Sequence, residues 1–130
     1  MSVSGCGPSR PEMVPTSGTV TIDGKAPLEP GTLYFHPIET AKGLPARPAT
    51  ATFDTSGRYT VKSFEEGDGL IPGRYKVSAE CWEVPPNMAG RPVKSRIAGR
   101  FNSAVSSGLE EVVIESGSAD RQIDFELSSR

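Results

Sequence analysis

Group-transfer catalysis needs a nucleophile, a base that activates it and a group that stabilises developing charge, all within mutual reach. His36 is the sole histidine, so any Ser–His or Cys–His arrangement rests on it. It stands in the alternating stretch Gly31–Ile38, just before Pro37, and reads as an outward-facing strand residue. With one histidine and two distant cysteines, Cys6 and Cys81, no pair has zinc-ligand spacing. Glu65-Glu66-Gly67-Asp68-Gly69 gathers three carboxylates in five residues, but not at the spacing of a D-x-[DN]-x-[DN]-G calcium loop. It reads as a solvated, glycine-rich turn. Neither a catalytic residue nor a metal or other cofactor is expected.

The remaining chemistry is that of binding. Trp82 follows Cys81 in Tyr75-Lys76-Val77-Ser78-Ala79-Glu80-Cys81-Trp82, where alternation sets Tyr75, Val77, Ala79 and Cys81 on one face and Trp82 on the other. Cys81 then reads as a small thiol filling a core position. The Trp82 indole is a candidate stacking platform for a sugar, or else a side chain covered by Pro85 and Pro86 of the following loop. Arg91, Lys94, Arg96 and Arg100 make that loop locally basic, and anionic head groups or glycans are the partners such charge would meet.

Cys6 carries a different chemistry. Val3-Ser4-Gly5-Cys6 resembles a bacterial lipobox, where a signal peptidase cuts and the cysteine becomes a diacylglycerol-bearing N-terminus. A secretory signal has a basic start and an apolar run of about 7–15 residues before that point. Only Met1-Ser2-Val3 precede Cys6, so that segment is expected upstream of Met1. Gly7-Pro8-Ser9-Arg10-Pro11-Glu12 then reads as a flexible tether between a lipid and a domain. The chain is thus expected to hang from a membrane outside the cytoplasm, with residues 1–15 as leader and tether and residues 16–130 as one domain.

Composition sets what must position these groups. Low hydrophobic content, 35%, with Gly 14 and Pro 12 in 130 residues suits short strands joined by turns. A net charge of −2 argues against nucleic acid, which calls for a concentrated basic face. No stretch reaches the roughly 20 apolar residues of a transmembrane helix. Alternation bounded by turn residues predicts seven strands: Ser17–Asp23, Gly31–Ile38, Pro48–Phe53, Arg58–Ser63, Gly73–Glu83, Leu109–Glu115 and Asp120–Leu127. Asp54-Thr55-Ser56-Gly57 predicts a hairpin between the third and fourth, and Ser116-Gly117-Ser118 a closing hairpin between the last two. The fifth, being longest, should be central. The stretch from Val84 to about Gly108 is longer than a passive connection, so it is either functional or hides a small element. The expected architecture is an all-β, seven-stranded antiparallel β-sandwich.

Four segments in order carry a family resemblance: Gly18-Thr19-Val20-Thr21-Ile22-Asp23-Gly24-Lys25, Asp54-Thr55-Ser56-Gly57-Arg58-Tyr59, Gly69-Leu70-Ile71-Pro72-Gly73-Arg74-Tyr75-Lys76-Val77, and Arg100-Phe101-Asn102-Ser103 through Leu109. Together they resemble the small bacterial lipoproteins with a carboxypeptidase regulatory-like domain. The resemblance spans about residues 16–127 and implies a prealbumin-like (transthyretin-like) sandwich in the cell envelope. It implies no chemistry, because the family's function is poorly defined. The expectation is a non-enzymatic, lipid-anchored structural or interaction module, with an envelope protein or a glycan as partner. The alternatives are a carbohydrate- or peptide-binding domain using Trp82 and the 84–108 loop, and an accessory domain of an envelope enzyme.

Overall fold

The computed structural model describes residues 12–40, 43–44, 46–65, 67–84, 94–117 and 119–130. Among these the alternating segments form β1 (Thr16–Ile22), β2 (Gly31–Thr40), β3 (Ala49–Phe53), β4 (Arg58–Thr60), β5 (Gly73–Val84), β6 (Lys94–Ser95), β7 (Val112–Ile114), β8 (Arg121–Gln122) and β9 (Phe125–Leu127), with a 3₁₀ turn at Gly99–Asn102. Two sheets result. One runs β4-β1-β8, with β9 also on β1; the other runs β3-β2-β5-β6, with β7 also on β5. The all-β, two-sheet expectation holds.

The β2–β5 ladder is the longest pairing and sets the larger sheet, with Gly31 opposite Cys81, Leu33 opposite Ala79, Tyr34 opposite Ser78 and Phe35 opposite Val77. Because side chains alternate across a strand, this register puts Leu33, Phe35, Tyr75, Val77, Ala79 and Cys81 inward, all fully buried. Val20, Tyr59, Phe125 and Leu127 of the smaller sheet meet them. Phe125 packs edge-on to Phe35, ring centroids 6.2 Å apart. Val14, assigned by sequence to the tether, is also in the core, where it exchanges backbone hydrogen bonds with Leu70 at 2.9 and 3.0 Å.

Two glycines are required by geometry. Gly57 closes the Asp54 turn at φ +85°, a left-handed conformation cheap only for glycine. Gly31 begins β2 between two neighbours, where a Cβ would lie 2.2 Å from the Phe53 ring and 2.3 Å from the Glu80 carbonyl.

Several expected pairings are corrected. The Asp54–Gly57 turn forms, with Gly57 N–H donating to the Asp54 carbonyl at 2.8 Å, but β4 leaves for the other sheet and pairs with β1. Only Thr50 and Lys62 bridge back. The last two predicted strands do not pair with each other. β7 joins β5, while the last strand is split into β8 and β9, and both run parallel to β1. Among the described residues the sandwich is therefore not purely antiparallel. Inward packing explains the exchange: Val112 and Ile114 reach the core from one sheet, Phe125 and Leu127 from the other.

The 84–108 stretch is no passive loop either. Residues 94–108 hold β6 and the 3₁₀ turn, and Ile97 and Phe101 enter the core. Between β6 and β7 the edge of β5 has side chains where a strand would lie. Asn102 Nδ2 donates to the Ala79 carbonyl at 2.8 Å, and Ser107 Oγ to the Val77 carbonyl at 2.7 Å. A buried carbonyl left unpaired costs about 1–3 kcal/mol. Ser107→Ala is accordingly expected to destabilise the fold by about that amount, read as a lower urea midpoint at unchanged slope. An unchanged midpoint would show that the edge is held some other way.

Candidate functional site

Residues on the outer face of the larger sheet come from the alternate positions of the same ladder. Thr32, Tyr34 and His36 project there from β2, and Lys76, Ser78, Glu80 and Trp82 from β5. The Trp82 indole N–H donates to Glu80 Oε2 at 2.9 Å. The Glu80 carboxylate, with partial burial, also holds the Tyr34 phenol above its ordinary pKa. One carboxylate thus acts on two aromatic side chains, one on each side of it along the face. Pro30, Gly31, Thr32, Tyr34, Glu80 and Trp82 line an open depression of about 310 Å³ between them. Next along the face, His36 Nε2 and Ser78 Oγ share a hydrogen bond of 2.8 Å, and the Tyr34 and His36 rings lie 6.5 Å apart.

The sequence-chosen binding residues do not converge here as a group. Trp82 is half-buried at the depression. Lys94 and Arg96 turn instead to Glu83, at 2.8 and 2.6 Å, and Arg96 also reaches Glu29 at 3.8 Å. These two cations hold the Glu83 carboxyl below its usual range. They close the end of the sandwich rather than presenting free charge. Cys6, Arg91, Pro85 and Pro86 lie outside the described residues, and with them the expected lipid attachment and the expected cover of Trp82.

Other candidates take structural places. Cys81 is fully buried and its Sγ lies 3.4 Å from the Glu29 carbonyl; burial foremost pushes the thiol pKa up, which disfavours the nucleophilic thiolate. Asp68 accepts backbone N–H groups from Ser63, Phe64 and Glu65 at 2.8–2.9 Å, so its carboxylate is the centre of a turn. His36 faces outward.

Tyr34 and Glu80 were missed as site residues. Their signal was present in part, since Tyr34 alternates with the inward Phe35 and Glu80 shares a face with Trp82. The missing fact was the register that lays Thr32, and hence Tyr34, beside Glu80.

No family model matches the chain, and no curated protein matches it. Among solved structures, a 9R-lipoxygenase from Cyanothece PCC8801 is similar over 98% of this chain and 18% of its own, at 11% identity and a TM-score of 0.40. This chain thus spans less than a fifth of that protein, and so slight a likeness carries no argument about fold or activity.

The three tyrosines make the influence of Glu80 on the site measurable. Burial pushes Tyr75 up to about 12 and Tyr59 higher still, while Glu80 raises Tyr34. Phenolate absorbance during alkaline titration should therefore lag the ordinary value of about 10 for all three phenols. In Glu80→Gln, which removes the anion, one phenol should move back toward that value. A titration curve identical to the parent's would contradict an influence of Glu80 on Tyr34.

Proposed function

We propose that this chain is a non-enzymatic binding module of the cell envelope, anchored to a membrane through a lipidated Cys6, whose outer β2–β5 face holds a glycan. We take its two-sheet sandwich to be of the prealbumin-like kind, on the support of the motif order from Gly18 to Leu109. The observation that carries the ligand reading is the Trp82 indole bonded to the Glu80 carboxylate, with Tyr34 lining the same open depression. Sugars present C–H faces that stack on aromatic rings and hydroxyls that need fixed acceptors. An exposed platform with rings already held loses little side-chain entropy on binding. Thr32 and the exposed His36 extend the polar part of the face, His36 being bonded to the buried Ser78 hydroxyl.

The anchor has separate support. Cys6 stands in the Val3-Ser4-Gly5-Cys6 pattern ahead of a Pro- and Gly-containing stretch. A tether of this kind would leave the sheet face free to meet polymers near the membrane.

Each half has its own test. Trp82 is the sole tryptophan, so its fluorescence reports on this face alone. Titration with envelope polysaccharides is expected to quench or shift its emission, and Tyr34→Ala to weaken the response about tenfold, the loss of one well-placed ring contact. A flat response across a broad panel would remove the glycan reading. For the anchor, cells making the full-length protein and fed an alkyne-bearing fatty acid should label it, and Cys6→Ala should abolish the label. Equal labelling of both would exclude Cys6 as the attachment point.

A further inference from the structure

The charge of the platform points to a narrower ligand class. Glu80 is flanked by two neutral donors, the Trp82 indole N–H and the Tyr34 hydroxyl. Among the described residues no lysine or arginine forms an ion pair with it. Lys94 and Arg96, which follow β5, are engaged by Glu83, and Arg74 by Glu39 and Glu111. On the same face Lys76 lies opposite His36, on the far side of the Tyr34–Ser78 pair. The carboxylate therefore meets the polar edges of two rings, and no cation among the described residues is paired with it.

We infer that the depression between Trp82 and Tyr34 takes the ammonium group of an amino sugar, as part of a glycan bearing free amines. A charge-assisted hydrogen bond from ammonium to carboxylate is about twice as strong as a neutral one. A neutral hydroxyl would not gain this. The sugar ring distinguishes this occupant from a bare cation: the Thr32 hydroxyl lines the depression and the exposed His36 stands farther along the face, where an isolated ammonium would need neither. The inference rests on the glycan reading and specifies its charge.

The test is calorimetric titration of the full chain with a β-linked glucosamine oligosaccharide and with its N-acetylated counterpart, which has the same rings and no cation. The free amine form is expected to bind at least about tenfold more tightly, a difference of about 1.4 kcal/mol. Raising the salt concentration should shrink that preference, and Glu80→Gln should abolish it, so that the two oligosaccharides differ no longer. Equal affinity for the two oligosaccharides would overturn the ammonium inference and leave the glycan reading standing. Binding of neither, with a flat Trp82 response, would overturn both. A lysine-rich peptide that binds as tightly as the amino glycan, and loses that binding in Glu80→Gln, would also overturn it by making the occupant a peptide.

Discussion

The β2–β5 ladder is the constraint on which the rest of this molecule depends. It joins Gly31–Thr40 to Gly73–Cys81 in one register, interrupted only by the irregularity between Pro37 and Glu39. Strand alternation makes that register decide both faces together. Inward it stacks Leu33, Phe35, Val77 and Ala79 into the core. Outward it lays Tyr34, Glu80 and Trp82 side by side. A slip of one residue would bury the carboxylate and expose the core, so the stability of the sandwich and the composition of the platform cannot vary independently. Gly31 fixes the start of this arrangement, because only a residue without a Cβ fits between Phe53 and the Glu80 backbone.

The rest of the fold protects that strand pair. β3 covers one side of β2 over five residues from Gly31 to Phe35. On the other side β5 is covered piecewise, by β7 near Gly73–Tyr75, by β6 near Trp82–Val84, and between them by Asn102 and Ser107. Side chains thus serve as a partial strand along this edge of β5, where open backbone would otherwise invite pairing with another chain. Phe101 and Ile97 anchor this segment by burying in the core.

Much of this was legible in the sequence, and the failures share one cause. The inward set of β5 and the Asp54–Gly57 turn follow from local signals, namely alternation and the side chain of Asp54 bonding the Ser56 amide. Which strand pairs with which is not local. The turn at Asp54 predicted a hairpin because turn chemistry is the same whether the chain folds back on its own sheet or crosses to the other. The parallel placement of β8 and β9 beside β1 has no periodic signature at all. Asn102 and Ser107 cap carbonyls through side chains, which leaves only scattered polar residues in a stretch that reads as a loop. The site was half-legible for the same reason. Trp82 stands out by type, whereas Tyr34 and Glu80 become a site only through the register, and the basic residues drawn in by charge belong to Glu83.

The central claim is that the β2–β5 outer face is where this protein meets a glycan, and nuclear magnetic resonance of the labelled full chain tests it residue by residue. On addition of a bound oligosaccharide, the account predicts shifts concentrated in the Trp82 indole N–H and in the amides of Gly31–His36 and Lys76–Trp82. Shifts gathered instead around Lys25, Arg96 and Ser129 at the end of the sandwich, with the Trp82 indole unmoved, would contradict it.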